Sequence, residues 1–206
     1  MITRSRTMRR AQGRLLAGPS ARTIRWASLS VLVAVAALAV WSGARKGGDP
    51  APVALPAATT LLAAWLCFLF EDAAAETTDA TATPLMLRRA VRVAIAVPAV
   101  AVAWFAITWI GPLDGPAPAM TASFLAQATL ALAVGAVLCR ISPGGRGGLA
   151  AAGVIVFVAI VLPVWLARPV TIDPAHPPFG SVSTYWSAVA AAGCLLLAWA
   201  HAGRRA

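Results

Sequence analysis

Six stretches of this chain run for 19 residues or more without a lysine, arginine, aspartate or glutamate. A helix needs about 20 apolar residues to cross a hydrocarbon core of ~30 Å. Each stretch is therefore long enough for one membrane-spanning helix. The fold class that this pattern predicts is all-α: a polytopic membrane protein with six transmembrane helices. The spans are expected at about 26–44, 51–70, 90–110, 119–139, 149–167 and 185–201.

Composition favours the same class of protein. Hydrophobic residues make up 60% of the 206 residues and charged residues only 12%, whereas soluble domains have roughly 45–50% and about 25%. A net charge of +10 would suggest nucleic acid as the partner of a soluble protein. Here the basic residues flank apolar runs instead, which is how membrane proteins set their orientation. We therefore expect a lipid bilayer, and no nucleic acid, around this chain.

The lysines and arginines are divided unevenly between the two predicted sides of the membrane. Of the 17, only Arg45, Lys46 and Arg168 fall on one side, which leaves 14 on the other. Short loops rich in Lys and Arg stay in the cytoplasm. Both termini are therefore predicted to be cytoplasmic (N-in/C-in), and an odd number of spans would destroy this asymmetry.

The chain divides into a basic N-terminal segment and a helical domain at 26–203. Residues 1–25 contain seven arginines and no acidic residue. This cytoplasmic segment is either a tail attracted to anionic lipid or a short interfacial helix, and the pattern suits both.

The first span has a competing interpretation as a signal peptide. The residues "WSGA" before Arg45 resemble a small-residue cleavage site, and cleavage there would leave five spans. The uncharged stretch between Trp26 and Arg45 is nevertheless long enough for a membrane anchor.

The segment "EDAAAETTDATATPLMLRR", residues 71–89, contains four of the seven acidic residues. In the predicted topology it is the cytoplasmic loop between spans two and three. Acidic residues favour the start of a helix, so Glu71 and Asp72 are expected to begin a short surface helix. Thr83 and Pro84 then suit the start of the next long helix. The loop is either a neutralised polar hairpin or a surface on which a cytoplasmic partner docks.

The polar residues inside the spans are few and uncharged. Ion-coupled carriers usually need a charged residue within the membrane, and none is found at depth here. Thr59, Thr60 and Gln127 are the candidates for a polar translocation path. Hydrogen bonding within and between helices is the alternative role for them.

No catalytic or metal-binding residue is predicted. Lys46 is the only lysine and has no P-loop around it. Cys67, Cys139 and Cys194 lie in separate apolar runs without a nearby histidine, which argues against a disulfide framework and a metal site. We expect the chain itself not to be an enzyme, although a membrane enzyme of another kind is a further alternative.

Residues 68–92, "FLFEDAAAETTDATATPLMLRRAVR", carry a resemblance to a known family. Together with six spans, two cytoplasmic termini and a basic N-terminal segment, they resemble the permease subunits of type-2 ABC exporters, in particular the small permeases of high-GC bacteria. The resemblance implies a multi-pass protein of the bacterial inner (plasma) membrane that forms half of a translocation path. It also implies two partners: a cytosolic ATP-binding subunit, which binds the ATP and Mg, and a second membrane subunit.

In that family the loop after the second span holds a coupling helix that docks on the ATP-binding subunit. By position in this chain the resemblance assigns docking to Glu71, Asp72, Glu76, Thr83, Pro84 and Arg88. The loop at 168–184 departs from the family because it is Pro-rich where a re-entrant helical element is common. The alternative function is that of a non-transporting accessory or assembly protein that binds a cytosolic partner. The sequence does not identify a substrate, a transport direction, or a homodimer over a heterodimer.

Overall fold

The computed structural model describes residues 18, 21–22, 24–45, 54–71, 85–110, 118–141, 147–161 and 179–202. Residues 18 and 21–22 are helical, and the other described residues form six longer helical segments and no strand, so the all-α prediction is confirmed. The helices are α1 (Trp26–Arg45), α2 (Ala54–Leu66), α3 (Leu85–Ile110), α4 (Pro118–Ile141), α5 (Gly147–Val156) and α6 (Phe179–Ala202). A 3-10 turn, Cys67–Phe70, extends α2, and a π-helical turn, Phe157–Val161, extends α5.

Three of these helices are long and apolar enough to cross a membrane. The qualifying segments are Trp26–Gly43 in α1, Leu87–Ile110 in α3 and Met120–Cys139 in α4. The apolar parts of α2, α5 and α6 are shorter, at Ala54–Phe70, Gly147–Val161 and Thr184–Trp199. The chain is thus a helical protein with the character of a membrane-embedded one.

The centre of the bundle is α2, which packs against α1, α3, α4 and α5. Its buried residues include Leu55, Thr60, Ala64 and Trp65, which lie on different faces of the helix. A helix that is apolar all round is suited to complete burial. The sequence of α2, rich in Ala and Leu, therefore explains why this helix forms the core.

The last helix, α6, packs mainly on α4. Gly193 makes the close approach possible: a Cβ atom there would lie 3.0 Å from the main-chain nitrogen of Leu130 and 3.1 Å from Cγ2 of Thr129. Small residues at a helix interface allow two backbones to come together in this way. Near the N-terminal end of α6, the Tyr185 hydroxyl donates to the main-chain oxygen of Val158 at 2.6 Å, which connects α6 to the π-helical turn.

Trp104 connects three helices in the core. It lies on α3 and is 2% exposed. Its ring stacks on Phe124 of α4 with centroids 4.8 Å apart, and its Nε1 donates to Oγ1 of Thr59 on α2 at 3.2 Å. The hydrogen bond satisfies the polar edge of a buried tryptophan, which such rings usually require.

A short turn precedes α1. The main-chain nitrogen of Ile24 donates to the oxygen of Ala21, and Nε1 of Trp26 donates to the same oxygen at 2.6 Å. The predictions for residues 1–17, including the interfacial helix, lie outside the described residues.

Candidate functional site

The predicted docking residues are described only in part. Glu71 and Arg88 are within the described residues, whereas Asp72, Glu76, Thr83 and Pro84 lie outside them. The expected short helix after Glu71 lies outside them as well. The structure therefore gives the geometry of the two ends of the 71–89 segment.

At the first end, Glu71 follows the 3-10 turn Cys67–Phe70 and points toward the start of α5. Its Oε1 accepts a hydrogen bond from the main-chain N–H of Gly148 at 3.1 Å. The first N–H groups of a helix have no partner within that helix, and a negative charge there is favoured by the helix dipole. Glu71 was expected to begin a helix in its own loop; the contact that it makes is with the start of another helix.

The second carboxylate oxygen of Glu71 faces Arg25, which immediately precedes α1. Nη2 of Arg25 lies 3.9 Å from Oε2 of Glu71. The two side chains differ in environment, since that of Arg25 is 70% exposed and that of Glu71 only 13%. A pair with one solvent-exposed partner contributes about 0–1 kcal/mol to stability, so its main effect is to place a cation beside the carboxylate.

A third residue contacts Glu71 at its main-chain oxygen. Nη1 of Arg92, a buried residue of α3, donates to it at 3.1 Å. Arg92 belongs to the helix that begins at Leu85, directly after the undescribed part of the segment. This hydrogen bond therefore connects the residue that precedes the 72–84 stretch to the helix that follows it.

We call these four residues, Arg25, Glu71, Arg92 and Gly148, the Glu71 junction. The junction brings together the end of α2, the start of α5, the first part of α3 and the residue before α1. A side chain at position 148 would displace the Glu71 carboxylate, because a Cβ atom there would lie 2.6 Å from Oε1 and 2.8 Å from Cδ of Glu71. The Gly-rich sequence "RGGL" thus provides the space that the carboxylate occupies.

At the second end of the segment, Arg88 lies in the first turn of α3 and is half-buried. The docking role of Arg88 stays a prediction.

The predicted translocation-path residues are all buried, and two of them have intrahelical hydrogen bonds. The hydroxyl of Thr59 donates to the main-chain oxygen of Leu55 at 2.8 Å, and that of Thr60 donates to the oxygen of Pro56 at 2.9 Å. This bonding is typical of threonine in membrane helices. Gln127 differs, because its Oε1 is buried without a hydrogen-bond partner among the described residues.

The described residues contain no group of three or more His, Cys, Asp or Glu side chains that could hold a metal ion. Cys67 and Cys139 are buried as free thiols, and Cys194 is exposed and also free.

Sequence reasoning missed Arg25, Arg92 and Gly148 as partners of Glu71. Arg25 was counted only as part of a basic segment, and Gly148 only as part of a Gly-rich loop. The one available signal was the placement of an acidic residue directly after an apolar run. Partners so far away along the chain are not encoded in a local pattern.

Comparison of the chain with protein-family models, with curated proteins and with solved structures gives no match. Its function is therefore inferred from its own residues and their geometry.

Proposed function

We propose that this protein is the membrane subunit of an ATP-driven exporter of the ABC type. In this proposal it forms half of a translocation path in a bacterial inner membrane and docks a separate ATP-binding subunit through residues 71–89. ATP and Mg bind to that subunit, and a second membrane subunit completes the path. The six-span arrangement with both termini in the cytoplasm belongs to the same proposal.

The Glu71 junction is the observation that supports it. A motor that pushes on the 71–89 segment can do mechanical work only if the segment is attached to the bundle. The carboxylate of Glu71 contacts Gly148 of α5, and its main-chain oxygen contacts Arg92 of α3. Movement of the segment would therefore be transmitted to α2, α3 and α5 together, which is what a coupling element requires.

The charge of the segment suits a docking surface. The 72–84 stretch adds Asp72, Glu76 and Asp79 to a chain that is otherwise strongly basic. Charge complementarity between surfaces contributes mainly to specificity and association rate. A basic cleft on the ATP-binding subunit would recognise such a segment.

A non-transporting accessory protein is the second candidate. It is favoured by the hydrogen bonds of Thr59 and Thr60, which are made to the backbone of their own helix. Two of the three candidate path residues thus have no unused hydroxyl proton for a substrate. An accessory protein would use the same 71–89 segment to bind a cytosolic partner that does not hydrolyse ATP.

Affinity purification with a pair of charge-reversed variants distinguishes these candidates. Asp72→Lys combined with Glu76→Lys should abolish co-purification of an ATP-hydrolysing protein while the chain still inserts into the membrane. The matched control, Asp114→Lys with Asp173→Lys, changes the net charge equally but lies in the predicted outer loops, and it should leave co-purification intact.

Three results would count against the exporter. Unchanged co-purification with the first variant would remove the docking role from this segment. Equal loss with both variants would show a general charge effect. A co-purifying partner without ATPase activity would support the accessory protein instead.

A further inference from the structure

An open groove of about 610 Å³ lies between α1 and α2. Its volume is within the range of about 300–1,000 Å³ that is typical of small-molecule sites. Val31 and Leu32 line it from α1, and Leu61 and Phe68 line it from the α2 side. Val31 is 62% exposed, so the groove opens to the outside of the bundle. Its walls are suited to an apolar occupant.

The polar side-chain groups of Trp65 and Ser28, which line the groove, already have hydrogen-bond partners. Nε1 of Trp65 donates to Oγ of Ser28 at 3.0 Å, and that hydroxyl donates to the main-chain oxygen of Arg25 at 2.7 Å. An occupant therefore need not supply donors or acceptors along the wall. This favours a hydrocarbon chain over a polar ligand.

Arg25 also lines the groove, and it lies directly before the apolar segment Trp26–Gly43 of α1. A basic residue next to a membrane-spanning segment is at the depth of the lipid headgroups. Its distance of 3.9 Å to Glu71 exceeds the roughly 2.7–2.9 Å of a charge-assisted hydrogen bond. The exposed guanidinium therefore has N–H groups that can bond an oxyanion.

We propose that this groove binds an anionic phospholipid, with the phosphate at Arg25 and one acyl chain along Val31, Leu61 and Phe68. A cation next to a hydrocarbon-lined groove complements both parts of such a molecule. The chain's own N-terminal segment is a poor occupant, because the six arginines and the lack of acidic residues in residues 1–24 would bring like charge to Arg25. The proposal requires a membrane-embedded protein and is independent of the exporter proposal.

Lipid retention by the purified full-length protein tests the headgroup contact. The protein is given phosphatidylglycerol and phosphatidylcholine with identical chains, and the bound lipids are counted by native mass spectrometry. We expect the anionic lipid to be preferred. Arg25→Gln should reduce its retention about tenfold, which is the effect of one charge-assisted hydrogen bond. Arg22→Gln, an exposed arginine outside the groove, is the control and should retain the preference.

A second pair of variants tests the acyl-chain contact. Val31→Trp fills the groove from its exposed wall and should lower the retention of both lipids. Val35→Trp is the control, since Val35 is also exposed but does not line the groove. Both positions are valines on the outer face of α1, so the two substitutions have similar costs for folding.

Glu71→Gln tests the same contact through an expected increase in lipid retention. The amide oxygen of glutamine can still accept the hydrogen bond from Gly148, but the negative charge beside Arg25 is removed. Retention of phosphatidylglycerol should therefore rise above that of the wild type. A general loss of structure would lower it instead.

Four results would overturn the proposal. The first is equal retention of the two lipids by the wild type. The second is the same loss with Arg25→Gln as with Arg22→Gln. The third is complete displacement of phosphatidylglycerol by inorganic phosphate, which would show a headgroup contact without the groove. The fourth is a change of oligomeric state with Val31→Trp at unchanged lipid retention, which would show that a second copy covers the groove.

Discussion

Glu71 contacts a different neighbour with each of its polar groups. Its two carboxylate oxygens face Gly148 and Arg25, and its main-chain oxygen accepts from Arg92. The sequence pattern identified Glu71 as a residue of interest, because four of the seven acidic residues lie in the segment 71–89 between two apolar runs. It could not identify the partners, two of which are 77 and 21 positions away along the chain. Docking by Glu71 stays a prediction, while its contacts already give it a structural role.

Substitution of Gly148 tests the junction. Gly148→Ala should destabilise the protein by about 1–2 kcal/mol, because the new Cβ displaces the Glu71 carboxylate and the start of α5 loses its cap. Gly153→Ala on the same helix is the control, since nothing lies within 4 Å of a Cβ there. It should be neutral or stabilise by up to about 1 kcal/mol. Thermal unfolding in detergent measures both; equal destabilisation would show that the junction contributes nothing.

At the scale of helices, the sequence predicted where helices form but not how they pack against one another. The long helix that was expected to start near Thr83 and Pro84 and to include the span 90–110 is observed at Leu85–Ile110, because a helix satisfies the backbone hydrogen bonds of an apolar run within the run itself. The central position of α2 and the pairing of α6 with α4 were not predicted. All the helices are apolar, so no polar face indicates which side meets which neighbour.

The contact of α2 with α3 gives a prediction for neighbouring threonines. Thr59→Val should destabilise the protein by about 1–3 kcal/mol, because Nε1 of buried Trp104 loses its acceptor. Thr60→Val is the matched control, since among the described residues that hydroxyl bonds the main-chain oxygen of Pro56 in its own helix, and its cost should be below about 0.5 kcal/mol. Unfolding midpoints and tryptophan emission report the two effects. Similar values for both variants would contradict the role of this hydrogen bond.

For the whole molecule, composition and the long uncharged runs were enough to predict an all-α protein with the character of a membrane protein. Three helices meet the length and hydropathy of a membrane span, while the six-span topology stays a prediction. Topology depends on charge placement relative to a bilayer, and many of the deciding basic residues lie in the N-terminal segment and the loops. The fold therefore follows from hydrophobicity, and the orientation from charges whose effect requires the membrane itself.

Labelling of introduced cysteines tests that orientation. Ala74→Cys, in the 71–89 segment, should react with a membrane-impermeant thiol reagent only after cells are permeabilised. Gly48→Cys, in the predicted outer loop, should react in intact cells and serves as the control. Both are made in a Cys194→Ala background, because Cys194 is exposed. Reaction of Ala74→Cys in intact cells would contradict the predicted topology and the docking proposal with it.

The Glu71 junction has a consequence for how such a chain can evolve. Its four residues connect the end of α2 with α3, α5 and the residue before α1, and all of them lie outside the 72–84 stretch. Mutations can therefore accumulate within that stretch without breaking any of these contacts. A descendant could change its specificity for a cytosolic partner by sequence drift in the codons for residues 72–84, while inheriting the contacts of the Glu71 junction unaltered.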